Sequence, residues 1–182
     1  MEIHVAWKSL YYEGEEKATL KIGEQSIGVE SEITWRDEKG TEHVIRYKLT
    51  CRADWSVRDL IINSDVAAKP LELHGDGNGS WTNKDGEVLK QLQGCIDVDF
   101  QATPLTNILP IRRLGSDHSE RVRVRMVYIL FPDLQFYAVD QYYTKIGENR
   151  WRFEQPIDDF TAEIEVDEVG LVQDYPGLFE RK

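Results

Sequence analysis

Two carboxylates, Asp97 and Asp99, alternate with Ile96, Val98 and Phe100. On an extended chain they project from one face. So placed, they can act as general acid and base or recognise the polar head of a ligand. They can also pair with Arg112 and Arg113 in a structural network, because the same perturbed carboxylates arise from either cause. A second constellation, Asp76-Gly77-Asn78-Gly79-Ser80 with Glu87, imitates part of a calcium-binding loop. The sixth position of such a loop needs Gly and is Trp81 here, so a hairpin turn is expected instead. The aromatic residues Phe136, Tyr137, Tyr142, Tyr143, Trp151 and Phe153 could stack on sugar rings or pack against one another across strands.

Other chemistry lacks its residues. The chain has no G-x-S-x-G nucleophile motif. It has no phosphate-binding P-loop and no dinucleotide-binding glycine pattern. Its histidines stand apart at positions 4, 43, 74 and 118, and its two cysteines, Cys51 and Cys95, form no C-x-x-C pair. No metal site and no cofactor is expected from this distribution. The cysteines read as buried free thiols of a reducing compartment; a disulfide stays open, since separation in sequence does not fix distance in space.

The elements that must position these groups are mostly strands. Over residues 25–36, Ile27, Val29, Ile33 and Trp35 share one parity, and Glu30, Glu32 and Arg36 the other. Over 42–52, Ile45, Tyr47, Leu49 and Cys51 oppose Arg46 and Lys48, and over 160–167 Phe160, Ala162, Ile164 and Val166 oppose Thr161, Glu163, Glu165 and Asp167. Such alternation marks antiparallel strands with one wet and one dry face. Turn formers at 37–40, Asn78-Gly79, Asp85-Gly86 and 147–149 separate the runs, as hairpins require. Residues 121–131 begin as an alternating strand and become apolar on both faces, so the strand should lie inside the sheet, covered on both sides. The one predicted helix lies within 103–114. Thr103 would serve as its N-cap with Pro104 at the first helical position, Pro110 would interrupt or kink it, Gly115 would end it, and Leu109 and Ile111 would be buried.

Composition bounds the rest. The 182 residues suffice for one domain with a core. Lys and Arg number 22 against 33 Asp and Glu, a net charge of -11. That field repels nucleic acid and anionic lipid headgroups at long range. The first residues lack a basic segment followed by an apolar run, so no signal peptide is visible and a cytoplasmic location is expected. The longest uncharged stretch, 100–111, is far short of the roughly 20 residues a membrane span needs.

Residues 94–114, GCIDVDFQATPLTNILPIRRL, and 162–181, AEIEVDEVGLVQDYPGLFER, are long and specific. With Gly79-Ser80-Trp81 ahead of Asp85-Gly86, and Gln141-Tyr142-Tyr143, they span nearly the whole chain in order. In these motifs the chain resembles the putative glycolipid-binding family of bacterial proteins. The resemblance implies a mainly β fold: a strongly curved antiparallel sheet, a spiral β-roll or half-open barrel with one short helical segment near 103–114. It carries over no catalytic residues.

The leading functional expectation is non-enzymatic binding of an amphipathic small molecule, a glycolipid among them, on the concave face of the roll. Met126, Tyr128 and Leu130 would contact the acyl part, Tyr142 would add an aromatic surface, and Arg112 and Arg113 would meet an anionic or sugar headgroup. The signature residues Gly94, Asp97, Asp99, Thr103, Pro104, Asn107 and Pro110 are expected to be architectural. Two alternatives stand beside this. One is a hydrolase or isomerase of a lipid-like or sugar substrate that uses Asp97 and Asp99. The other is an acidic module for a basic protein partner.

Overall fold

The computed structural model describes residues 1–115 and 119–182; His118 lies outside them. Seven strands come first: β1 (Glu2–Ser9), β2 (Gly14–Ile22), β3 (Ser26–Arg36), β4 (Glu42–Arg52), β5 (Val57–Ser64), β6 (Leu71–Gly75) and β7 (Trp81–Asn83). Next come β8 (Asp97–Phe100), a 3-10 turn at Leu105–Asn107 and the helix α1 (Ile108–Leu114). Then follow β9 (Val122–Ile129), β10 (Phe136–Lys145), β11 (Arg150–Gln155), β12 (Phe160–Val166), β13 (Val172–Tyr175) and β14 (Phe179–Arg181). Among the described residues all fourteen strands form one sheet, in the order β7-β6-β5-β4-β3-β2-β1-β14-β13-β12-β11-β10-β9-β8. Successive hairpins build each half, and β1 joins the halves by pairing with β14, Trp7 opposite Arg181.

The alternating runs become strands at the expected positions, with the predicted turns between them. The mainly antiparallel sheet has one parallel pair, β8 with β9. The reason is the helical segment between them: parallel neighbours need a crossover of a dozen or more residues, usually helical. β9 is hydrogen-bonded on both sides, as a strand interior to the sheet must be, but it stands next to the edge and not at the centre. Its two faces are both dry because the roll is a spiral. Val127 and Ile129 share a face with Val98 and Phe100. Phe100 meets Tyr47 of β4 edge-on, with ring centroids 5.9 Å apart. Beyond β9, Phe131 meets Trp35 of β3 at 4.9 Å. The covering layer is therefore the other half of the same sheet.

The two ends of the sheet also meet. The Gly94 N–H donates to the Gly79 carbonyl at 2.8 Å, and the Trp81 indole donates to the Cys95 carbonyl at 2.7 Å. Gly79 has φ +95°, and a Cβ there would lie 2.9 Å from the Gly94 Cα, so both its conformation and its surroundings exclude a side chain. Asp76 accepts the N–H groups of Asn78 and Ser80, which makes the calcium-like stretch a turn between β6 and β7.

The helix departs from expectation at its end. Pro110 does not interrupt it. Pro110 sits in the first turn of α1, where a missing N–H removes no intrahelical bond, and the helix runs on to Leu114 before Gly115, at φ +75°, closes it. The Thr103 Oγ1 accepts the Leu105 N–H at 2.9 Å, but the cap position falls one residue later than expected, on Pro104, and the segment opens as the 3-10 turn at Leu105. Leu105, Ile108, Leu109 and Ile111 are buried, so the segment fills the interior of the roll. Cys51 and Cys95 are buried and free. No helix among the described residues is long and apolar enough to cross a membrane.

Candidate functional site

The two signature carboxylates leave β8 in the same direction and meet different surroundings. Asp97 is fully buried and receives Arg113 in a bidentate contact, with Nε at 3.2 Å and Nη2 at 2.5 Å. Burial raises the Asp97 carboxyl, and the guanidinium beside it pulls it back. Among the described residues Asp99 has no cationic partner. It accepts the Thr106 hydroxyl at 3.1 Å and the Gln141 amide at 2.5 Å. Burial raises its pKa, against those two hydrogen bonds.

Asp99 lies in the wall of a cavity of about 330 Å³. Tyr128 and Asp99 are register partners on β9 and β8, which puts both on the cavity side. Thr103 and Asn107, from the helical segment, form another part of the wall. The second half of the roll adds Phe153, Gln155, Asp158, Phe160, Tyr175 and Phe179, and the β1–β2 connection adds Tyr11. The aromatic rings follow one another around the wall: Tyr11 to Phe179 at 5.5 Å, Phe179 to Tyr175 at 6.2 Å, Tyr175 to Phe160 at 6.3 Å and Phe160 to Phe153 at 6.0 Å. Burial raises the hydroxyl pKa values of Tyr11 and Tyr128, so both remain neutral donors.

A chain of amides links the cavity's two carboxylates. The Gln141 Nε2 donates to Asp99 and, at 2.7 Å, to the Gln155 Oε1; the Gln155 Nε2 donates to Asp158. Gln141 is fully buried, and its Oε1 has no hydrogen-bond partner among the described residues. Behind the wall, Glu16 is buried on the core face of β2. It accepts the hydroxyls of Ser31 (2.7 Å), Tyr47 (2.6 Å) and Thr103. Burial raises its pKa while those hydrogen bonds oppose the shift. Glu16 thereby ties β2, β3 and β4 to the start of the helical segment. Asn107 holds the other end of that turn, donating to the Pro104 carbonyl at 3.1 Å and accepting the Tyr143 hydroxyl at 2.9 Å.

The residues singled out from sequence scatter. Tyr128, Asp99, Thr103 and Asn107 line the cavity. Met126 is fully buried beside Asp97 in the register and does not line it. Leu130 packs at the edge of the core, outside the cavity wall. Tyr142 faces outward, with the Arg121 guanidinium 3.5 Å from its ring centre. Arg113 is engaged by Asp97, and Arg112 lies 5.3 Å from the Trp55 ring centre; neither arginine reaches the cavity. Gly94, at φ +86°, and Pro104 and Pro110 shape the segment from behind. Sequence reasoning passed over Glu16, Gln141 and Gln155, and their signal was a polar residue on an otherwise apolar parity. Glu16 aligns with Ala18 and Leu20, Gln141 with Val139 and Tyr143, and Gln155 with Trp151 and Phe153.

Among the described residues no group of three or more His, Cys, Asp or Glu could hold a metal ion. No protein curated for function matches the chain. Among solved structures it is similar to a DUF1089 family protein from Pseudomonas aeruginosa, with 36% identity, 92% of each chain covered and a TM-score of 0.81. The sequence model of the family described as "Putative glycolipid-binding" matches residues 4–181. The chain belongs to that family.

Proposed function

We propose that the aromatic cavity binds an amphipathic small molecule whose polar end lies against Asp99 and whose apolar part lies along the Phe153, Phe160 and Phe179 side. The observation that carries this reading is the cavity's makeup: an apolar, aromatic wall with a few convergent polar groups. Its volume of about 330 Å³ is at the small end of ligand sites, so a headgroup and the first part of a chain would fit and a whole lipid would not. The family's description agrees with a binding role. The arginines do not face this space, so the headgroup is not expected to be an anion. Native mass spectrometry of the protein drawn from a total lipid extract tests the reading. A bound species that is lost when Phe160 is replaced by Asp supports it. The absence of any bound species in parent and variant alike counts against it.

A second reading rests on Asp99 alone. A carboxyl that burial raises above the ordinary range and that faces open space has the placement of a general acid or base. Asp97, held by Arg113, is unsuited to that role. Turnover of chromogenic glycosides or esters that disappears in Asp99→Asn would favour the hydrolase; no turnover by the parent chain would remove it.

A further inference from the structure

The charges around the cavity do not balance. Asp99 and Asp158 both line it, and among the described residues no Lys, Arg or His does. Among the described residues Asp99 is held only by the neutral donors Thr106 and Gln141, and Asp158 receives only the amide of Gln155 among the cavity groups. The other feature is the ring of aromatics. The successive planes are inclined by 48–89°, so none of those pairs is a parallel stack, and the rings, with Tyr128, line the cavity at varied angles around Asp99. Aromatic faces attract cations through their quadrupole, and an enclosing set of them with a carboxylate is the recognition chemistry of ammonium groups. The net charge of -11 adds a long-range field of the same sign.

We infer that the polar end of the ligand carries a positive charge, an ammonium group seated between Asp99 and the rings of Tyr11, Tyr128 and Tyr175. This rests on the cavity being the ligand site and specifies the class of ligand it takes. An amino-sugar head and a quaternary-ammonium lipid head share this chemistry. They differ in that a primary ammonium donates hydrogen bonds to Asp99, whereas a trimethylammonium leans on the rings. The lone Oε1 of Gln141 fits the same picture, since the amide spends both its hydrogens on Asp99 and Gln155 and thereby fixes Asp99 as an acceptor.

Isothermal titration calorimetry in near-neutral buffer, where the amino sugar carries its charge, with monomeric probes that share an octyl chain, tests this. The probes are octyl glucoside, its 2-amino-2-deoxy counterpart, octyltrimethylammonium and octyl sulfate. At least one cationic probe should bind about tenfold tighter than octyl glucoside, and octyl sulfate should be the weakest, a ratio in keeping with a desolvated cation–π and charge contact. The better of the two cations identifies the source. In Asp99→Asn the ratio of cationic to neutral affinity should fall to about one. Asp158→Asn, at an exposed turn, should lower it about threefold and provides the reading if the first variant folds poorly. Equal or tighter binding of octyl glucoside by the parent overturns the cationic assignment alone, as does a preference that survives both substitutions. Failure of all four probes to bind overturns it together with the cavity as a ligand site.

Discussion

At the scale of single residues, Asp97 and Asp99 look interchangeable in sequence, and their surroundings set them apart. Removing the charge of Asp97 strands Arg113, whose side chain is 27% exposed and can partly rehydrate. Asp97→Asn should therefore destabilise by about 2–3 kcal/mol, below the roughly 3–5 kcal/mol of a fully buried pair, as read from urea unfolding. Asp99→Asn strands no cation and should shift stability by less than about 1 kcal/mol while changing ligand preference. An equal loss in both variants would argue that Asp99 is as architectural as Asp97. Glu16 gives a pH signature. Its folded pKa lies above its unfolded value, so the native state holds the extra proton and the parent chain loses stability as pH rises from the ordinary carboxyl range through the folded pKa. Glu16→Gln does not titrate. Its melting temperature relative to the parent should therefore rise with pH across that window; a flat difference would show that Glu16 is not perturbed.

At the scale of elements, the helical segment and the contact between the sheet's ends hold the cavity open. The segment is anchored by Glu16 on Thr103, by Tyr143 on Asn107 and by Arg113 on Asp97, so three walls of the roll hold one short piece of chain. Leu109→Ala at its buried face should cost about 2–5 kcal/mol, the range for deleting such a core side chain. The sheet's ends give a paired comparison. Gly40 and Gly79 both have positive φ, but a Cβ at Gly40 meets open space and one at Gly79 meets the Gly94 backbone at 2.9 Å. Gly40→Ala should cost about 1–2 kcal/mol, the left-handed penalty alone. Gly79→Ala should cost distinctly more, and equal midpoints in urea would show that the contact of β7's approach with β8's is not tight. The strands were readable because alternation is local: 42–52 is β4 as predicted. Pro110 misled because the rule that proline breaks helices applies to interiors, and the first turn is exempt.

At the scale of the whole molecule, the spiral does what no local pattern announces. It turns the β8–β9 edge inward, so that a strand with two dry faces is covered by the opposite half of its own sheet. The roll and its helical insert were legible from parity, turns and the long signature. The cavity was not, because its wall collects Tyr11, Asp99, Tyr128, Phe153, Asp158 and Phe179 from stretches far apart in the chain. Parity shows that Phe153 points inward, and only the closure of the roll shows that space remains in front of it. Met126 illustrates the reverse error: an inward residue beside the site, in a place with no space left. The central claim is that this cavity takes an amphipathic ligand, and its most direct test is a backbone amide NMR titration with the octyl probe that binds tightest. Shifts should concentrate at Tyr11, Asp99, Gln101, Phe153, Gln155 and Phe160 and saturate at one equivalent. Shifts spread over the outer face of β3 and β4, or none at saturating probe, would contradict it.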